Sequence, residues 1–436
     1  MKNSILFIEN SKRRQKNLIA LAERAKMRGF SPILIKGDLV EDISLGLFER
    51  VFSVSSCNLD ELRKCCDEID KSYVIKSCIN PSSSFCNGQL VAAHTAMLAK
   101  ERGLVHHSIQ ALYQCNNKYL MREKLGEDNF ALVSSVEMLM YHAQRIGYPI
   151  ILKPLTGVSS HLILQCKNDE DAIKAFRTMR EKISRGYYQE LYVNHSYSDF
   201  SGKVRCFSPQ CEFLIEKYLY GTEVTVECVV TENEIFMPIV HEKLQIREGE
   251  RVVYEDILIT PPSSLDQKAV LSIRSHVERV VRMLGVQNTF LHVELRYDHE
   301  KGPQLIEVNH RLGGGMIYKS WETFAGIDPY ELELDLMLGQ CNFTNTKNEI
   351  SSHGMLFFFP PKGGVVHDVQ GVEKLCSLRG MLHVEQTFSK GSIIPGDDEE
   401  CFLVQCWMKA DSASHIQKTY EAACKILTFN IGETSK

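Results

Sequence analysis

Apolar and polar positions along the chain fall into three stretches of different rhythm. Up to about residue 112, short continuous apolar runs alternate with segments of helical period. "SILFIE" and "SPILIK" read as buried strands, Ser11 to Arg28 carries helical spacing, and "YVIKSCIN" leads into the helical "GQLVAAHTAMLAKERG". That alternation predicts parallel strands joined by crossover helices. A second stretch opens near Gln114. "YPIILKP" and "EFLIEKYLYGTEVTVECVV" read as strands and "DQKAVLSIRSHVERVVRMLG" as a helix. "FLHVELRYD" and "PQLIEVNHR" then form a hairpin across "HEKG". Gly186 to Cys211 is rich in Tyr, Ser and Asn without a period, which predicts a long loop. From about Ser351 come short strands with glycine turns ("MLFFFPPKGGVV", "KGSIIPGDD"), ending in the helix "SASHIQKTYEAACKIL".

Composition narrows the class. A chain of 436 residues suits two or three domains, and 44% hydrophobic with 24% charged residues is an ordinary soluble composition. A net charge of −5 and a pI near 6.3 argue against a nucleic-acid-binding surface. "MKNSILFIEN" has no charged-then-apolar leader, and no apolar run is long enough to span a bilayer, so the expected location is the cytoplasm. Fifteen cysteines are scattered, often inside apolar runs, with no C-x-x-C pair, which fits reduced thiols better than disulfides.

The chemistry concentrates in "LIEVNHRLGGG", Leu305 to Gly315. As a strand it places Leu305, Glu307, Asn309 and Arg311 on one face, with Ile306, Val308 and His310 on the other. On the partner strand, His292, Glu294 and Arg296 share a face. If the two faces coincide, Glu294 and Glu307 lie side by side and repel. A bound cation removes that cost, and Glu294, Glu307 and Asn309 offer oxygen ligands suited to Mg²⁺ or Mn²⁺. A salt-bridged face, with Arg296 and Arg311 as partners, stays equally open on spacing alone. The glycines allow close backbone approach with free N–H groups. "GGGMIYKS" is not a P-loop, because Tyr318 stands where that motif needs its second glycine, and no G-x-G-x-x-G follows any N-terminal strand. Lys118, and Lys153 at the end of a buried run beside "LTGVSSH", suit phosphate, although a merely solvated lysine is the commoner case. Glu216 opens a segment whose backbone suits a base, and Glu223 suits sugar hydroxyls.

In this order the motifs resemble the ATP-grasp superfamily of carboxylate–amine ligases, most closely the bacterial L-amino-acid ligases that make dipeptides. The resemblance rests on Lys118, Lys153 with "TGVSS", "EKYLYGTEVTVE", "HVELRYD" and "LIEVNHRLGGG", with "PPKGG" further on. It implies an α/β ATP-grasp fold: an N-terminal parallel-sheet domain (1–112), an ATP-grasp domain (113–345, lid about 150–215) and a small α+β domain (346–436). It also implies ATP with Mg²⁺ or Mn²⁺, small acid and amine substrates, no nucleic acid or membrane partner, and a homodimer.

By position, Lys118 and Lys153 would meet the ATP phosphates under a lid of Thr156, Gly157, Ser159 and Ser160. Glu216, Lys217, Tyr218 and Leu219 would hold adenine and Glu223 the ribose. Glu294, Glu307 and Asn309 would hold metal. Arg311, Gly314 and Gly315 would stabilise the reacting anion, and Glu255 and His292 would face substrate. His161, in the lid, is expected to be structural. The implied reaction passes from carboxylate to acyl phosphate to amide. Two other readings are an ATP-dependent carboxylase, for which "WMKA" at Trp407 lacks the pattern flanking a biotinyl lysine, and a nucleotide-binding regulator without catalysis.

Overall fold

The structure is a computed structural model that describes residues 1–11, 15–40, 46–82, 84–157, 160–185, 191–198, 203–249, 252–343, 351–395 and 400–433. Its N-terminal sheet has four parallel strands in the order Arg50–Ser53, Ser31–Lys36, Lys2–Glu9, Tyr73–Ile79. Helices cover both faces, which is why these strands read as unbroken apolar runs. Phe7 and Leu34 pack toward the helix Gln15–Met27 and Trp321, whereas Leu6, Ile8 and Ile33 pack with Leu62, Ile69 and Leu98.

A second sheet orders Phe130–Val133, Phe213–Lys217, Ile150–Pro154 and Leu164–Cys166, all antiparallel. Beyond it lies a correction to the sequence reading. Part of the expected long loop is a strand pair, His195–Ser198 with Val204–Phe207. Only His195, Tyr197 and Phe207 of it are buried, and two inward positions on a four-residue strand are too few to show as a period. His195 lies against Phe85 and Phe207, so this contact comes from elements distant in sequence.

The largest sheet has eight antiparallel strands and carries the candidate site. Its order is Gly302–Asn309, Thr289–Asp298, Thr222–Val230, Ile235–Glu248, Val253–Thr260, Ser352–Phe358, Val404–Ala410, Met381–Gln386. One face packs Val224, Val226, Val293, Leu295 and Val308 against the helix Gln267–Leu284. Asp266 caps that helix by accepting from the Ala269 N–H, and Gly285 closes it in the left-handed conformation. The sheet runs on without a break from Val253–Thr260 into Ser352–Phe358, so the C-terminal residues extend the same surface. None of the fifteen cysteines forms a disulfide, and no described helix is long and apolar enough to cross a membrane.

Candidate active site

The hairpin sets the site's register. Glu294 lies opposite Glu307, and His292 opposite Asn309, which is the juxtaposition the period-two reading required. Leu305 departs from that reading. The register shifts at Glu294/Leu295, so Ile306 is an extra residue and Leu305 pairs with Leu295. A bulge of this kind turns every side chain on its far side by one position. Leu305 therefore joins Val308 and Leu295 in the apolar core rather than the carboxylate face. The carbonyls of Leu305 and Ile306 accept from the Arg122 guanidinium at 2.9 and 2.7 Å.

Charge converges on the remaining face. Asn309 Nδ2 donates to Glu307 at 2.8 Å and lies 3.4 Å from Glu294. Lys118 Nζ is 2.8 Å from the other Glu307 oxygen. Asn117 caps the helix Lys118–Lys124 by accepting from Tyr119 and Leu120, and the Lys118 N–H donates to Leu155, which ties that helix start to the end of the Lys153 strand. Burial alone would raise the Glu307 carboxyl, but the Lys118 ammonium and the Asn309 amide hold it well below the ordinary carboxylate range.

Lys153 does not lie in a solvated loop; it is 2% exposed. Its ammonium pairs with Glu216 on the adjacent strand, and Arg122 Nε reaches the other Glu216 oxygen at 3.0 Å. Burial draws Lys153 below its ordinary value against the pull of Glu216, and Arg122 and Lys118 add to that direction. The Glu216 carboxylate is thus taken up by two cations. Glu223 accepts from Arg296 at 2.9 Å, and Arg296 also donates to the Leu219 carbonyl and lies over the Tyr218 ring.

A family model described as an ATP-grasp domain matches residues 146–319, the span that holds Lys153, Glu216, Glu223 and both hairpin strands. The chain carries an ATP-grasp domain. Its sequence is 23% identical over 300 residues to dapdiamide A synthase of Enterobacter agglomerans, covering 66% of this chain and 64% of that protein. It is 21% identical over 319 residues to alanine–anticapsin ligase of Bacillus subtilis (strain 168), covering 67% and 62%. The matches therefore span less than two thirds of either relative's length. In fold, the chain resembles the L-amino acid ligase from Bacillus licheniformis, with a TM-score of 0.79 at 18% identity over 99% of this chain and 100% of that one.

Two residues that the sequence reading missed organise the site: Arg122, ahead of the matched span, and Lys243 within it. Arg122 is buried and staples Glu216 to the hairpin. Lys243, 6% exposed, contacts Glu223 at 2.6 Å, Glu294 at 3.0 Å and also Glu255. Oxygens of those three glutamates lie within 4.8 Å of one another. Burial would lower the Lys243 ammonium, but the three carboxylates push it well above its ordinary value. The available signal was period two: "HEKL" places His241 and Lys243 on one face of a strand beside Glu223 and Thr225. Behind this cluster, the Glu255 N–H donates to Glu400, a residue of the C-terminal stretch, at 2.9 Å.

The other predicted residues divide. His292 faces the site, its Nδ1 2.5 Å from the fully buried Glu227 and its Nε2 3.7 Å from Glu294. Gly313 packs where any side chain would meet the His292 ring and Ile317. No turn or strand bond takes up the N–H groups of Gly313, Gly314 or Gly315 among the described residues. The half-buried Arg311 guanidinium donates to the Leu312 carbonyl at 3.1 Å, near Glu307 and Glu294. Lys217 points elsewhere, its ammonium donating to Gly147 and Tyr148 at the end of the helix Val136–Ile146. Of the residues expected to form a lid, Thr156 donates to Leu191, Ser160 has a left-handed φ of 51°, and Ser159 lies outside the described residues. His161 is buried and 2.5 Å from the Tyr192 hydroxyl, against which its ring stacks.

Proposed function

We propose that the chain is an ATP-dependent ligase that joins the carboxylate of an amino acid or similar acid to an amine, releasing ADP and phosphate. The observation that carries this reading is the meeting of Glu294, Glu307 and Asn309 with three buried lysines, Lys118, Lys153 and Lys243, on one side of the hairpin. Alanine–anticapsin ligase is a ligase by name, and dapdiamide A synthase a synthase, which supports the same reaction class here. The same reading divides the chain at 1–112, 113–345 and 346–436, and takes the enzyme as a cytoplasmic homodimer.

The donor set fits a divalent cation. Asn309 turns its amide toward two carboxylates, and a half-turn of that amide presents Oδ1, giving three oxygen ligands suited to Mg²⁺ or Mn²⁺. Bound there, such an ion would neutralise phosphate charge. The chain's own groups position and stabilise. Lys118 and Lys153 hold the phosphates of ATP, with the lid over them, while Glu223 faces the ribose. A substrate carboxylate oxygen then attacks the γ-phosphorus, and ADP leaves. Arg311 and the free N–H groups of Gly313 to Gly315 meet the negative charge of the acyl phosphate and, after amine attack, of the tetrahedral intermediate. Collapse expels phosphate and leaves the amide. Positioning and charge neutralisation are the protein's main contributions.

The test is phosphate release from ATP and Mg²⁺ across pairs of L-amino acids, with mass spectrometry of the products. Release that needs two particular amino acids, with the dipeptide mass, establishes the reaction. Release stimulated by bicarbonate alone would replace it with carboxylation through carboxyphosphate. ATP binding without any ADP formation would leave a nucleotide-binding regulator.

A further inference from the structure

One polar side chain interrupts an apolar face beside the glycine loop. Strands Ser352–Phe358 and Val404–Ala410 pair with Met355 opposite Trp407 and Phe357 opposite Gln405. Met355, Phe357 and Trp407 belong to the core that holds Leu312, Met316 and Trp321, and Trp407 Nε1 is satisfied by Thr323 at 2.9 Å. Gln405 is 5% exposed, yet its Oε1 is buried with no hydrogen-bond partner among the described residues. Leaving such an acceptor without a donor costs about 1–3 kcal/mol, so an apolar residue of the same size would serve this core better. The oxygen is aimed at the loop: a Cβ built on Gly315 would lie 3.1 Å from it and 3.2 Å from the Phe357 ring. Gly315 itself is exposed and has a φ of 56°.

We infer that Gln405 is a substrate-positioning residue whose Oε1 accepts a hydrogen bond from the α-amine of the attacking amino acid. This rests on the ligase reading above and adds the amine's subsite to it. The reacting ends of the carboxylate, the acyl phosphate and the ATP phosphates present only acceptors, which a second acceptor repels. The attacking amine brings an N–H donor to the acyl carbon, and hydroxylamine, which replaces that amine alone, separates it from the α-amine of the acid substrate. A carboxamide also suits the chemistry better than a carboxylate. A carboxylate would hold the nitrogen as ammonium, whose lone pair is occupied, whereas a neutral acceptor binds the uncharged nucleophile. The subsite therefore comes from the C-terminal stretch, laid against Gly315 by the continuous sheet.

The experiment compares the full chain with Gln405→Met, using ATP, Mg²⁺ and an equimolar mixture of the twenty L-amino acids, with and without hydroxylamine. Hydroxylamine attacks the acyl phosphate in place of the amine, expelling phosphate and leaving a hydroxamate. Loss of one positioned hydrogen bond predicts dipeptide yield reduced about ten-fold in Gln405→Met, with hydroxamate yield retained. Both products unchanged, or both reduced together, would overturn the inference; the second result assigns Gln405 to the core or to the acid substrate. Should Gln405→Met fail to fold, Gln405→Glu decides: it keeps an acceptor but holds the amine charged, so dipeptide falls while hydroxamate persists. An unchanged dipeptide yield in that variant overturns the inference as well. Wild type that forms hydroxamate but no dipeptide refutes the amino-acid subsite and spares the ligase reading. Wild type that forms neither removes both.

Discussion

Lys153 and Lys243 are both buried, both on strands and both paired with glutamate, yet they sit in different charge environments. Lys153 shares one carboxylate, Glu216, with a second cation, Arg122. Lys243 faces three carboxylates, Glu223, Glu255 and Glu294, with Arg296 on Glu223, His292 3.7 Å from Glu294, and Glu400 behind the set. Arg122 also reaches Glu127 at 3.0 Å, so Lys153 and Arg122 are matched by two carboxylates, Glu216 and Glu127, with no negative charge left over. Lys243, Arg296 and His292 stand among four carboxylates, Glu223, Glu227, Glu255 and Glu294, which leaves negative charge in excess and suits a bound cation. The directions of the shifts agree: Lys153 is drawn down by burial, whereas the glutamates overcome burial and push Lys243 up. A buried lysine's part in a site is set by what surrounds it.

The strongest way to break this comparison is to remove the shared carboxylate. Glu216→Gln leaves the buried Lys153 without its carboxylate, while Arg122 keeps Glu127 and the hairpin carbonyls, so it should destabilise the fold by about 3–5 kcal/mol in urea unfolding. A loss below about 1 kcal/mol, the level of an exposed pair, would mean that water already screens the cluster. Next in size is Lys153→Met, expected to slow ADP formation by roughly 10²–10³-fold. Its counterpart, Lys243→Met, uncovers the three glutamates. Its thermal midpoint should therefore rise with added Mg²⁺ by more than that of wild type, while Lys153→Met shows no such excess. Equal responses in the two variants would erase the distinction.

Smaller, but sharper in sign, is the pH dependence behind Lys243. Burial and then Glu255 raise the Glu400 carboxyl well above its ordinary 4.5, against the pull of Lys243 and with Glu294 adding to the rise. A carboxyl raised by folding stabilises the protein below its unfolded value, and that contribution is lost as pH rises through the folded value. Wild type should thus lose stability from about pH 4.5 upward relative to Glu400→Gln, read as thermal midpoints across that range. Parallel curves would place Glu400 in water. Smallest is the exposed pair Glu278–Arg282 on the helix Gln267–Leu284, 2.7 Å apart. Glu278→Ala should cost less than about 0.5 kcal/mol and leave ADP formation unchanged, a measure of what an ion pair contributes without burial.

Much of this was legible in the residues. The alternation of "HVELR" and "LIEVNHR" placed Glu294 beside Glu307 because strand periodicity is local and a short turn limits the register. Continuous apolar runs announced a parallel sheet covered on both faces. Lys153 was singled out by its place at the end of an apolar run beside a glycine turn, and Lys118 by the order of motifs; the structure buries both in ion pairs with glutamates.

What only the tertiary structure decided involves partners far apart in the chain or a break in period. The bulge at Ile306 moved Leu305 to the core, and no pattern in the strand marks where a ladder will slip. Arg122 acquired its meaning from carbonyls more than 180 residues away, and Lys243 from glutamates on three other strands. Gln405 is one glutamine in an apolar strand until the sheet carries it to Gly315. Sequence by itself determined the elements, the face each strand presents and the chemistry those faces offer, because these follow from backbone geometry and side-chain type. Which charges are buried together arises from long-range packing, which brings residues distant in the chain into one low-dielectric cluster where each is governed by its neighbours.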